Sequence, residues 1–353
     1  MIGEESSKVN DACREKIIIP TQECASGMTL MQSIVDENTG TVIVAKGQTL
    51  NAGHIDRLRN FNHTQIWVKI DEEATFWDID PQIYNQYRTY AKVLKYVFEK
   101  NEGISFAKVQ EVIGLAKKIV RDAISDYHLL GCISLLPRME KDIYIHSVNV
   151  AFLSLLVGKW QGYDTQKQEE LVISALLHDV GKLQINPQLN NKGDKTKNLG
   201  EKLEYMRHPI LGYEILASFN ELSVEILKGV LSHHECIDGS GYPLSLEAEM
   251  INDYAKIIGI VDTYDHLKEE YHIFDAIKQL GSICSKKFST DILLEFCHNV
   301  VNYYIGSHVL LSNGEVGEVV FIQSQAIYKP IVKVGNNKIN LYEQTDIHVV
   351  KVL

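Results

Sequence analysis

Five histidines and two aspartates carry the chemistry available to this sequence. His146, His178, His208, His233 and His234 fall between residues 129 and 265, each in or at the end of a helix-type segment. Asp179 follows His178 directly after the apolar stretch VISALL. Asp262 sits in the mostly apolar IIGIVDTYDHL, where a carboxylate is costly unless paired or bound to metal. His233 and His234 are adjacent, so on a helix they diverge by about 100° and cannot share one apolar face. They open onto Asp238-Gly239-Ser240-Gly241-Tyr242-Pro243, a run that neither helix nor strand favours. Imidazoles and carboxylates projecting inward from separate helices form the donor set of a metal cluster in a bundle. A His/Asp set without cysteine suits iron, manganese or nickel; zinc more commonly has fewer ligands or thiolates. Two such ions form the recurrent clamp for phosphoryl transfer to water.

Taken singly, His146, or His208 before Pro209, reads as a cap or surface residue. The set together argues for a site. His54, His63, His128, His266, His272, His298, His308 and His348 lack such context and read as structural or solvated.

The elements that must position these groups are mainly helical. Val109, Val112, Ile113, Ala116, Ile119, Val120, Ala123 and Ile124 follow the i, i+3, i+4 rhythm of an amphipathic helix. Further helices are predicted over 138–160, 167–178, 200–219, 222–234 and 253–270. Ahead of them, KIIIP, MTLMQSIVD, TVIVAKG and QIWVKI read as short strands divided by turn residues, with a short helix in TLNAGHIDRLRNFN. HVLLSNGEVGEVVFI, beyond the helices, reads as a hairpin about Asn313-Gly314, followed by PIVKV and HVVKV. The expected organisation is a strand-rich module over 1–72, a linker over 73–83, a helical domain over 84–303 and a C-terminal β segment over 304–353.

Composition narrows the function classes. The chain has 353 residues, 45% hydrophobic and 23% charged, with a formal net charge of -11. That charge disfavours nucleic-acid polymers and anionic membranes as partners, though not a small anionic ligand held by local cations. The longest apolar run, near 148–158, is short for a bilayer span. The start, MIGEESSKVN, is polar and acidic, unlike a signal peptide. Six cysteines without a CxxC pair fit a reducing cytoplasm.

His178-Asp179 with Gly181-Lys182, then His208-Pro209, His233-His234-Glu235, Asp238–Pro243 and Asp262, in that order, resemble the HD-GYP family. This is a branch of the HD metal-dependent phosphohydrolases, and the resemblance covers about residues 84–300. It implies an HD-type helical bundle and a phosphodiesterase that opens cyclic di-GMP to linear pGpG, some members continuing to GMP. The expected reaction is attack by a metal-bridging hydroxide at a site of two or three divalent ions, iron or manganese. The resemblance assigns metal ligation to His146, His178, Asp179, His208, His233, His234 and Asp262, with Asp179 bridging two metals; a carboxylate so placed can also take the nucleophile's proton. It gives Lys182 a phosphate contact, and Gly239–Pro243, including Tyr242, a structural role and contacts to substrate or a protein partner. Asp142, four residues before His146 and on the same helix face, stands where some members hold a third metal with Glu. The terminal strand modules are candidates for sensing or homodimerisation.

One segment departs from the family. After Asp262-Thr263-Tyr264-Asp265, members usually carry an Arg-Pro-Tyr-Arg/Lys stretch whose cations hold the dinucleotide phosphates. Here the chain runs on through His266-Leu267-Lys268-Glu269-Glu270, leaving Lys268 as the nearby cation. Charge-assisted hydrogen bonds contribute roughly 1.5–3 kcal/mol each, so losing two weakens binding on the order of 10²–10⁴-fold. The alternatives are therefore a degenerate member that binds a nucleotide or protein without turnover, or a phosphodiesterase for pGpG or another cyclic dinucleotide.

Overall fold

Capping residues set where the helices begin. Asp164 accepts from the Lys167 amide, Ser223 from Ile226, and Asn252 from Tyr254 and Ala255. Asn198 and Glu201 form a reciprocal capping box. The computed structural model describes residues 16–20, 29–31, 33–35, 42–48, 50, 54, 57–58, 65–69, 81–99, 103–123, 142–190, 196–284 and 286–353. Within them lie α1 (Pro81–Glu99), α2 (Phe106–Asp122), α3 (Ile143–Trp160), α4 (Thr165–Leu177) and a 3-10 turn (Val180–Gln184). There follow α5 (Pro187–Asn190), α6 (Leu199–Tyr205), α7 (His208–Leu216), α8 (Val224–Ser232), α9 (Asp253–Glu270), α10 (Ile273–Cys284) and α11 (Thr290–Asn302). The expected residues 73–80, His63 and His128 lie outside the described residues, and 81–83 already belong to α1.

The chain divides into two compact units, one of them Asp80–Tyr303. Inside it α3 packs on α4, α4 on α8, α8 on α9, and α9 back on α3, closing a ring of four helices. Helix α3 is buried all along Ser147–Gly158. By length and composition alone it is apolar enough to cross a membrane, yet 67% of it is buried within the structure. A helix that is apolar all round is what a bundle centre calls for. Helix α7 lies across the 3-10 turn and against α8, while α10 and α11 extend the bundle from α9.

The single helix expected over 200–219 is two, α6 and α7. Pro209 sits in the first turn of α7, where its missing N–H costs no hydrogen bond, but its ring opposes a continuous helix running up to it. The break at Met206-Arg207 makes His208 the first residue of a new helix.

The other unit combines the flanking segments Met1–Ile79 and Tyr304–Leu353. Its N-terminal strands are β1 (Lys16–Pro20), β2 (Thr29–Leu30), β3 (Ile34–Val35), β4 (Val42–Val44) and β5 (Gln65–Lys69). They form an antiparallel sheet β1-β5-β2 and a separate β3-β4 pair. Leu30, Ile34, Val44, Leu50, Leu58 and Ile66 make a small core there. The C-terminal strands β6 (His308–Leu311), β7 (Val316–Phe321), β8 (Ile331–Val334), β9 (Asn337–Asn340) and β10 (Val349–Val352) form one sheet in the order β10-β6-β7-β8-β9. The expected hairpin about Asn313-Gly314 is β6-β7, its turn using Gly314 at φ +85. The sheet extends it by three strands, of which polar β9 (NKIN) has no apolar alternation to announce it.

One glycine fixes the approach of α7 to the turn after α4. A Cβ on Gly181 would stand 2.0 Å from the His208 carbonyl oxygen and 2.6 Å from the Gly212 nitrogen. Gly181→Ala must therefore push α7 away, costing about 1–3 kcal/mol or more. Gly114→Ala on α2, where a Cβ meets nothing within 4 Å, should gain up to about 1 kcal/mol. Thermal melts of the two variants should shift in opposite directions.

Candidate metal centre

The bundle brings the donor groups together at helix ends. His146 lies near the start of α3, His178 and His233 just past the ends of α4 and α8, His208 at the start of α7, and Asp262 within α9. Asp179 precedes the 3-10 turn and Lys182 lies in it. His178, Asp179, His208, His233 and Asp262 are at most 3% exposed.

Backbone carbonyls aim three of the imidazoles. Nδ1 of His178 bonds the Ala175 carbonyl at 2.7 Å, Nδ1 of His208 that of Tyr205 at 2.8 Å, and Nδ1 of His233 that of Val230 at 2.7 Å. A carbonyl only accepts, so each Nδ1 must donate, and each Nε2 presents a lone pair to the interior. His146 is held differently: its Nδ1 is 2.9 Å from Asp265 Oδ2, the carboxylate–imidazole arrangement that orients metal-binding histidines.

Those lone pairs converge on Asp179. Its Oδ1 is 3.3 Å from His208 Nε2 and 3.9 Å from His233 Nε2. Its Oδ2 is 3.3 Å from His178 Nε2 and 3.8 Å from His146 Nε2. Two donor groups capable of holding an ion share this carboxylate: Asp179, His208, His233 and His234, and His146, His178 and Asp179. Nε2 of His208 and His233 face each other at 3.3 Å, two lone pairs with no proton between them. His146 Nε2, His178 Nε2, His234 Nε2, Asp179 Oδ1 and Asp262 Oδ1 are all buried without a hydrogen-bond partner. Buried polar atoms are normally satisfied, and carboxylate oxygens and imidazole nitrogens gathered this densely fit divalent cations.

Lys182 is buried, its Nζ 2.5 Å from Asp179 Oδ2 and 5.1 Å from the centre of the Tyr205 ring. Lys197 covers the same ring at 3.7 Å. Tyr242 stacks on His234 with centroids 4.7 Å apart, and its amide donates to the His234 carbonyl. Glu235 accepts from the Leu244 and Leu246 amides, folding the glycine loop back on α8. A Cβ on Gly241 would meet the Cys236 nitrogen at 2.3 Å, so this tight return needs glycine.

Two residues singled out in the sequence are engaged elsewhere. Asp142 caps α3, accepting from the Tyr144 amide at 2.8 Å and pairing with Lys95 at 3.4 Å, and it belongs to none of the donor groups. Lys268 pairs with Asp265 at 3.1 Å. Conversely, His266, read from sequence as structural or solvated, stands in a third donor group with His146 and Asp262. Asp265 and Tyr205 also went unread. Asp262, Asp265 and His266 are spaced i, i+3, i+4, and that helical spacing was the available signal.

Electrostatics follow from burial and crowding. Burial, then Lys182, holds His208 well below its ordinary range. Burial, then His178, brings His233 down to about 4, and burial with the His233 and His208 rings lowers His234. These imidazoles are neutral, the form that binds metal. Burial works against the charge on His146 too, but the Asp262 and Asp265 carboxylates outweigh it and raise His146 to about 10. Burial likewise opposes ionisation of Asp179, yet His178 and Lys182 keep it well below the usual carboxylate range.

Residues 133–283 match the HD domain family. The chain is 29% identical over 197 residues to the protein named cyclic di-GMP phosphodiesterase PA4108 of Pseudomonas aeruginosa, covering 54% of this chain and 47% of that one. It is 29% identical over 214 residues to the protein named cyclic di-GMP phosphodiesterase PdeB of Borreliella burgdorferi, covering 58% and 56%. A Vibrio cholerae protein named 3'3'-cGAMP-specific phosphodiesterase 1 is 34% identical over 125 residues, covering 35% and 28%. The chain thus spans about half the length of the first two relatives.

A pH prediction follows for chelator-treated protein. His208, His233 and His234 have depressed pKa values, so between about 6.5 and 4 the unfolded chain binds more protons and stability falls with acidification. His146 has a raised value, so its contribution is full below about 6.5 and is lost as pH rises toward 10. Urea midpoints should peak near pH 6.5 and drop on either side; a flat profile from pH 4.5 to 9 would contradict this charge assignment.

Proposed function

We propose that this chain, whose residues 133–283 match the HD domain family and whose motifs resemble the HD-GYP branch, is a metal-dependent phosphodiesterase. Its substrate is cyclic di-GMP, opened to linear pGpG and in part carried on to GMP, in a cytoplasmic setting. The observation that carries this reading is Asp179, a buried carboxylate with a different set of imidazole lone pairs facing each oxygen. That is a donor arrangement for two ions sharing one bridge. Asp179, His208, His233 and His234 would hold one ion and His146, His178 and Asp179 another, with Asp262 opposite; iron or manganese suits such donors. Bound there, divalent ions supply a nucleophilic water near neutral pH and Lewis-acid stabilisation of a phosphodiester.

The protein's own groups divide the remaining work. Asp179, deprotonated and central, is placed to accept the proton of the attacking water. Lys182, held cationic mainly by Asp179 against the effect of burial, is placed beside it to bind a non-bridging phosphate oxygen as charge builds there. Tyr242 braces His234 and lines the same rim. The Gly239–Pro243 loop is the surface we assign to a protein partner, and the strand modules to dimerisation. Asp142 is kept as a further carboxylate for a third ion only where it leaves its cap.

A second reading has its own support. Lys268, the cation nearest the expected phosphate clamp, is turned to Asp265. The name of the Vibrio cholerae relative also points to a mixed cyclic dinucleotide for that protein. A weaker clamp suits either another cyclic dinucleotide or pGpG, or a binder without turnover.

Incubating manganese- or iron(II)-loaded protein with cyclic di-GMP and chromatographing the products tests the proposal; pGpG should appear. Asp179→Ala should abolish turnover and lower metal content. Lys182→Ala should slow turnover on the order of 10²-fold with metal retained. Tight binding without product from any cyclic dinucleotide or pGpG would overturn the enzyme reading. Product from cyclic GMP-AMP or pGpG alone would overturn the assigned substrate.

A further inference from the structure

We propose that His266 is an additional metal ligand, closing from the solvent side the cation position framed by His146 and Asp262. The inference rests on the metal-dependent reading above and concerns a residue that reading does not use. His266 Nε2 lies 3.3 Å from Asp262 Oδ1, and His146 Nε2 lies 3.0 Å from the same oxygen. Metal–ligand bonds of ~2.1 Å meeting at right angles place neighbouring donors roughly 3.0 Å apart. Both imidazole nitrogens stand at that spacing from Asp262 Oδ1, and the three donors lie within 4.8 Å of one another.

Asp262 Oδ1 and His146 Nε2 are buried and drawn together at 3.0 Å, a pairing in which a cation can take the place of the imidazole proton. The two imidazoles stack with centroids 4.6 Å apart and planes 23° from parallel, which brings both Nε2 atoms to one side, against one carboxylate oxygen. His146 cannot turn its other nitrogen inward, because Asp265 holds Nδ1. His266 is one helical turn beyond Asp262 on α9, and its side chain is 50% exposed. It therefore bounds the group on its exposed side, while His146, 12% exposed, bounds it from within the bundle.

The test uses the full chain after chelation, titrated calorimetrically with Mn2+, as wild type, His266→Ala and His266→Phe. Phenylalanine keeps a ring on His146 and removes the donor nitrogen. Both variants should bind one cation about 10–100-fold more weakly, leaving the other binding event unchanged. The absorption bands of bound Co2+ should shift in His266→Phe. If His266→Phe binds as wild type does, the inference is overturned, whether or not His266→Ala is weakened, because the ring would then serve only to support His146. If wild type itself takes up no cation, the metal-dependent reading falls instead, an outcome distinct from an unchanged variant of a loaded protein.

Discussion

The structure is organised around one electrostatic constraint: a carboxylate, Asp179, held ionised in a bundle interior beside the imidazoles of His208, His233 and His234, which burial keeps neutral. Desolvating an anion costs several kcal/mol even after relaxation, and Oδ1 has no hydrogen bond to offset it. Lys182 neutralises Oδ2 at 2.5 Å. Asp262 and Asp265 add two more buried carboxylates within reach of His146. Cations bound between these groups would satisfy the oxygens and the facing lone pairs together.

Much of the surrounding architecture serves to keep the lone pairs aimed. Carbonyls one turn back hold His178, His208 and His233 by Nδ1. The absence of a Cβ at Gly181 lets the start of α7 press on the turn that carries Asp179 and Lys182. Glu235 and Gly241 return the loop so that Tyr242 lies on His234. The glycine run that follows the paired histidines is thus part of how His234 is oriented, and the divergence of His233 from His234 is resolved by giving each a separate support.

Of the seven residues singled out in the sequence, those that break a local rule stood out by themselves: a charge after VISALL, a charge inside IIGIVDTYDHL, adjacent histidines before glycines; His146 and His208 gained their weight only from the set. Helical rhythm likewise announced α2, α4, α8 and α9. Other features depend on contacts that linear order does not display. Asp142 shares a helix face with His146, but at a helix start an aspartate is drawn to the free amides, and there it caps. His266 looked solvated because its neighbours Lys268, Glu269 and Glu270 are polar, although it faces Asp262 one turn back. The α6–α7 break needed the weight of Pro209 against a run that otherwise reads as one helix, and β9 has no apolar residue pattern at all. The missing phosphate-clamp cations were visible as an absence; that Lys268 is bound inward by Asp265 required the structure.

The central claim is that Asp179 bridges two cations. Anomalous diffraction at the manganese edge, from crystals of the loaded protein, tests it most directly. The account predicts two peaks, one beside each Asp179 oxygen, the first bounded by His208, His233 and His234 and the second by His146 and His178. A single peak with Asp179 bound through one oxygen, or density with Lys182 still paired to Asp179 and no ion beside it, would contradict the claim.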